Sequence, residues 1–209
     1  MLTHRSLPHL RSDERGVALI EFAITLPLFV ILLTGGLELT SLALTHLQLN
    51  RTAETMADNA SRVRMQMDEF DISQIFEGVE LQGESIDLAT KGRVVISSIE
   101  DNGKLGSARG QKIRWQRCTG AKVKAPRYGR EGKGASDNSL KDGIGPPGRR
   151  IAAQPGTAVM HAEVVYDYEP QIFSGVFAPH EIRYETAFNV RERDELGISN
   201  VKGRPVKGC

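Results

Sequence analysis

One carboxylate interrupts a long apolar run. Glu21 lies within VALIEFAITLPLFVILLTGGL, Val17–Leu37, as its single charge. A carboxylate in a membrane-spanning helix costs roughly 2.5–3.5 kcal/mol by insertion scales. An acid placed there calls for a cationic partner or for hydration near the headgroups. Two cysteines, Cys118 and Cys209, are the only thiols. Their number alone leaves open both two free thiols and a bridge. The other residues able to do chemistry do not converge. His4, His9, His46, His161 and His180 are scattered, with no H-E-x-x-H or H-x-x-E-H pairing for a metal. Gly129-Arg-Glu-Gly132-Lys133-Gly134 lacks the G-x-x-x-x-G-K-[ST] spacing and no apolar strand leads into it, so a phosphate loop is rejected. There is no G-x-S-x-G elbow. Tyr166, Asp167, Tyr168 and Glu169 read as an edge-of-sheet surface. No catalytic residue, cofactor, metal or small-molecule substrate is expected, and the chain is not read as an enzyme.

Composition agrees with that reading. The 209 residues carry 27 basic and 26 acidic groups, a net charge of +1, which gives no reason to expect nucleic acid as a partner. Aromatic residues are 6% of the chain, enough for a modest core only.

As a helix, Val17–Leu37 rises about 31 Å, which matches a hydrocarbon core of about 30 Å. It is apolar on every face, unlike the helix of a soluble core. A secretory signal peptide has a shorter apolar core, and Thr34-Gly35-Gly36 and Ser41-Leu42-Ala43 are poor cleavage sites. Arg5, Arg11 and Arg15 precede the run, and the next arginine is Arg51. That bias predicts a cytoplasmic N-terminus and an extracytoplasmic C-terminal bulk. The lipid bilayer is therefore one expected partner. Pro27 predicts a bend in the span, and Gly35-Gly36 a weak point.

Beyond the span, Leu49, Ala53, Met56, Ala60, Val63 and Met67 recur at helical spacing opposite Arg51, Glu54, Asp58 and Arg62. The expected organisation is a leader at 1–16, a transmembrane helix at 17–37, a continuing amphipathic helix at 38–67 and a domain at 68–209. Asp71 is placed to cap a short helix through Glu77, ended by Gly78. Arg93–Ile99, Lys112–Cys118, Thr157–Tyr168 and Glu181–Val190 read as strands. An α+β fold follows, with one long helix packed on a small antiparallel sheet. The Gly- and Pro-rich stretch 119–156 reads as a long loop, and the tail after Arg193 as loosely held. Outside the cytoplasm disulfides persist, so a Cys118–Cys209 bridge is expected there.

Arg15-Gly16-Val17-Ala18-Leu19-Ile20-Glu21-Phe22 resembles a type IV prepilin processing site: a Gly, a cut after it, and a Glu five residues into the mature chain. The longer string RGVALIEFAITLPLFVILLTGGLEL resembles the TadE-like pseudopilins of tight-adherence pilus systems, as do Ala57–Ala60 and Ile113–Cys118 more diffusely. The resemblance implies a pilin-like fold and cleavage between Gly16 and Val17 by a prepilin peptidase. It also implies that Glu21 pairs with the new Val17 ammonium of a neighbouring subunit. Its expected partners are the peptidase, other pilin-like subunits and the inner-membrane pilus machinery. Filament-building pilins of this class are far shorter, so an accessory role is expected. The rival expectation is an uncut single-pass anchor presenting a periplasmic binding domain, and a third is a membrane-tethered periplasmic enzyme.

Overall fold

The computed structural model describes residues 15–172 and 178–209, excluding the side chain of Arg15. All but the last two residues of the expected leader lie outside the described residues.

Helix α1, Arg15–Ser61, is 47 residues long, about 70 Å at 1.5 Å per residue. It runs through Pro27 and Gly35-Gly36 without a break in its assignment. Threonines within it turn their hydroxyls back onto the preceding turn: Thr25 donates to Glu21 O at 2.9 Å, Thr34 to Val30 O at 2.7 Å and Thr40 to Gly36 O at 2.8 Å. That satisfies the hydroxyls inside the helix where nothing else can. The helix stops at Ser61, short of the expected Met67. The Arg193 guanidinium caps it, donating to Ala60 O at 2.5 Å and Val63 O at 3.0 Å. Ala60 O is one of the carbonyls that a helix end leaves without an internal partner, and Val63 O lies just beyond the end. Met67 is still fully buried, but from strand β1, Gln66–Asp68.

Helix α2, Glu69–Gln82, begins one turn earlier than expected. Asp68 is its cap: its carboxylate accepts from Phe70 N at 2.9 Å, and the Asp71 carboxylate accepts from Asp68 N at 3.0 Å. Asp71 is thus the reciprocal member of a capping box. The helix passes Gly78 and ends at Gly83, where a Cβ would lie 2.4 Å from that of Leu88. A 3-10 turn and a short helix α3, Leu88–Lys91, lead into the sheet.

The sheet comprises β2 (Gly92–Asp101), β3 (Gln111–Thr119), β4 (Ala158–Tyr168) and β5 (His180–Asn189), ordered β3-β2-β4-β5 and antiparallel throughout. Val94, Ile96, Met160, Ala162, Val164 and Ile182 form one core with Leu49, Met56 and Ala60 of α1. The opposite face is covered as well. Leu140, Ile144 and Ala153 from the long loop pack on Ile99, Ile113 and Val159. Gly134 makes this fit possible, since its φ is +81° and a Cβ there would fall 2.1 Å from Gln111 O. Two covered faces explain why β4 reads AVMHAEVVYDY with only partial alternation.

The tail is not loosely held. Strand β6, Glu195–Ser199, pairs in parallel with β1. The architecture is the expected α+β: a long apolar N-terminal helix plus an antiparallel sheet.

Candidate functional site

The N-terminal third of α1 stands clear of the sheet domain among the described residues. Residues 16–33 are all exposed, including Val17 at 52% and Phe22 at 62%. A Cβ added to Gly16 would meet nothing within 4 Å. The Glu21 carboxylate has no hydrogen bond or ion pair among the described residues; only its backbone oxygen is engaged, by Thr25. In a helix, side chains tilt toward the N-terminus and residues four apart share a face. Glu21 therefore points toward Val17.

A second acid on the same helix, Glu38, was not singled out by the sequence and has the opposite environment. It is 2% exposed. Its carboxylate accepts from the Tyr168 hydroxyl at 2.6 Å, Ile172 N at 2.9 Å and Gln171 N at 3.3 Å. Burial, and then the bond to Glu38, pushes the Tyr168 phenol up to about 12. The signal was present: Glu38, Leu42, Thr45 and Leu49 continue the apolar stripe backward at spacings of 4, 3 and 4. A charge on a buried stripe demands partners. Glu38 fastens the end of β4 to α1 where the helix leaves its apolar run.

Cys118 and Cys209 are joined in a disulfide with a Cα–Cα distance of 5.2 Å. Cys118 N also donates to Lys207 O at 2.8 Å, and Trp115 Nε1 to Leu196 O at 3.3 Å. Lys202 lies 3.6 Å from the Phe70 ring centroid and Lys207 5.5 Å from that of Phe76. The last residues are thus strapped across β3 and α2.

At the β3 edge, level with Ile96 of the α1-side core, Arg117 donates to Glu69 Oε1 at 2.5 and 2.8 Å, to Glu69 Oε2 at 3.1 Å and to Glu131 at 2.9 Å. The groups on the loop-covered sheet face neutralise one another. Glu163 is held by Arg183 and by Arg127 N. Glu185 accepts from Arg127 at 2.5 Å and Tyr128 at 2.6 Å, with His161 Nε2 3.7 Å away. Burial pushes the Glu185 carboxyl up, but His161, Tyr128 and Arg127 outweigh it and hold it at about 2. A cavity of about 250 Å³ beside this pair is lined by Ile144, Arg149, His161 and Ala187. Among the described residues no group of three or more His, Cys, Asp or Glu is placed to hold a metal ion. The Tyr166–Glu169 cluster is structural: Tyr166 donates to Ile86 O at 2.8 Å, Asp167 pairs with Lys122, and Glu169 pairs with Lys91 at 3.0 Å.

Fold and site together define a helix-anchored α+β domain. Its α1 is the one described helix long and apolar enough to cross a membrane, with the apolar window wholly unburied. Residues 16–58 match the family model described as TadE-like protein. The match is consistent with a TadE-like protein of the tight-adherence pilus system, and with α1 it gives a single-pass membrane protein. No curated protein and no solved structure matches the chain.

Proposed function

We propose that this protein is a minor pilin-like subunit of a tight-adherence pilus machine. A prepilin peptidase cuts between Gly16 and Val17, and the freed helix joins other pilin-like helices in the inner membrane. The observation that carries this reading is the coincidence of three features on one segment. The family match begins at Gly16, the helix from there to residue 33 is exposed throughout, and its lone acid has no hydrogen bond or ion pair among the described residues. Cutting after Gly16 creates an ammonium four residues from Glu21, on the face toward which that side chain tilts. Attraction between an ammonium and a carboxylate at low dielectric offsets the cost of the acid in lipid. A neighbouring subunit supplies the ammonium when the helices bundle.

The orientation places the arginine-rich leader in the cytoplasm and the sheet domain in the periplasm. The Cys118–Cys209 bridge supports this, because disulfides persist in an oxidising compartment. The test is the mass of the N-terminal peptide of the native protein. A mature chain starting at Val17 is expected. A chain starting at Met1, with normal pili from Gly16→Leu cells, replaces this reading with the uncut anchor presenting its domain to an envelope complex.

A further inference from the structure

The sheet domain is not free to hang at an arbitrary height above the membrane. Its strands run along α1. The His46 ring meets the Tyr184 hydroxyl at 3.0 Å, and Arg191 N donates to Ser61 O at 3.3 Å. Between those contacts the helix advances about 22 Å at 1.5 Å per residue. The chain from Tyr184 to Arg191 advances about 23 Å at 3.3 Å per residue. Equal advances mean that β5 and α1 are nearly parallel, so the sheet has one end toward the span and one away from it. The near end contains Tyr168, Gln171 and Ile172, all bonded to Glu38. Glu38 follows Leu37, the last residue of the apolar run, by one residue. The headgroup layer beyond the hydrocarbon is about 5–8 Å deep on each side. The near end must lie within it.

The surface there suits that position. Val123 is 99% exposed and Ile172 48%. Lys122 N bonds Gly92 O, and Gly92 is level with Tyr166. Lys122 and Lys124 both pair with Glu181, next to the His180–Tyr168 rung. Val123, between the two lysines, is therefore carried on the same rim. The charges of the rim cancel: Lys91 with Glu169, Lys122 with Asp167 and Glu181, Lys124 with Glu181. A neutral rim with exposed apolar tips fits a zwitterionic headgroup layer, where apolar side chains can bury without any need for anionic lipid.

The geometry points to a lipid-docking rim formed by Val123 and Ile172, held at that height by the buried Tyr168–Glu38 bond and seated on the bilayer that α1 crosses. This rests on α1 spanning the membrane. The rim fixes the domain upright, so the exposed face of α1 from Leu37 to Leu47 stands along the membrane normal, open to neighbouring helices.

Single tryptophans test this in the full chain, reconstituted in phosphatidylcholine vesicles with acyl chains brominated near the headgroup. Native Trp115 is 1% exposed and serves as the common background. Leu28→Trp probes the span, Val123→Trp and Ile172→Trp the rim, and Leu105→Trp, 89% exposed beyond the far end of β2, the opposite pole. Span and rim probes should lose intensity against unbrominated vesicles, with no added anionic lipid, while Leu105→Trp should not. Quenching at Leu28→Trp with none at Val123→Trp and Ile172→Trp overturns the rim and leaves the span. No quenching at Leu28→Trp removes the span and the rim with it. Quenching at Leu105→Trp means that the domain lies on its side, which also overturns the proposal.

Discussion

Glu21 and Glu38 sit about 26 Å apart on one helix and are solved in opposite ways. Glu38 takes three donors from the end of the sheet, whereas Glu21 takes none from the described residues. Replacing Glu38 by Ala leaves the Tyr168 hydroxyl and two backbone N–H groups facing a buried gap. An unsatisfied buried donor costs about 1–3 kcal/mol, so Glu38→Ala should lower unfolding free energy by roughly 2–4 kcal/mol, while Glu38→Gln, which keeps an acceptor, should lose less. Denaturant unfolding of the detergent-solubilised protein measures both. Equal losses from the two would show that the carboxylate is not acting as an acceptor. Glu185 carries a different signature. Its folded-state value is held at about 2, below the ordinary 4.5. A depressed carboxyl contributes stability in full above its unfolded value and loses it as pH falls. The domain should therefore weaken between about pH 4.5 and pH 2, and Glu185→Gln should flatten that part of the stability profile. A wild-type profile flat over this range would contradict the ion-pair account.

At the scale of elements, the disulfide is the covalent closure of a long loop. The two cysteines are 91 residues apart, and the chain-entropy model gives about 4–5 kcal/mol for a loop of that size. Cys209→Ser should destabilise by that order, and native protein under oxidising conditions should show no alkylatable thiol. Two reactive thiols would mean that the bridge does not form. The helix α2 was half legible. The sequence put the cap at Asp71; the cap is Asp68, which accepts from Phe70 N, and Asp71 is its reciprocal partner, accepting from Asp68 N. Asp68→Ala should cost about 1 kcal/mol, visible as a lowered melting temperature. The four strands and α1 were legible because period 2 and period 3.6 are written directly in the residue pattern. What the sequence hid was long-range. Nothing in Thr119–Gly156 announces that Leu140, Ile144 and Ala153 cover the second sheet face, because three apolar residues among glycines and charges have no period. Nor does Glu195–Ser199 show that its partner is Gln66–Asp68, far away in the chain. Glu38 was readable only by running the apolar stripe backward into the span. Of the residues proposed for processing and assembly, Gly16, Val17 and Glu21, the sequence conveyed types and spacing, and the structure adds their exposure.

For the whole molecule, the parallel course of α1 and the strands makes topology a single question, since one end of the sheet faces the span and no part can cross back. Arg5, Arg11 and Arg15 ahead of the span predict that everything beyond Leu37 is extracytoplasmic. A reporter that folds only outside the cytoplasm settles this, provided it is attached where it leaves the domain whole. A junction after Arg193 would remove β6 and Cys209, so the tail pairing and the disulfide would both be lost. The junction belongs after Cys209, followed by a flexible linker. A periplasmic phosphatase fused there should be active and a cytoplasmic galactosidase silent. In the same fusion, Gly16→Leu should leave activity unchanged while retaining the leader, since insertion needs the apolar run and the arginines but not the cut. Glu21→Ala should insert at least as well, because it removes a charge worth roughly 2.5–3.5 kcal/mol against insertion, yet should fail to support pili. An active galactosidase fusion would reverse the orientation, put the two cysteines in a reducing compartment and remove the cytoplasmic leader that a prepilin peptidase requires.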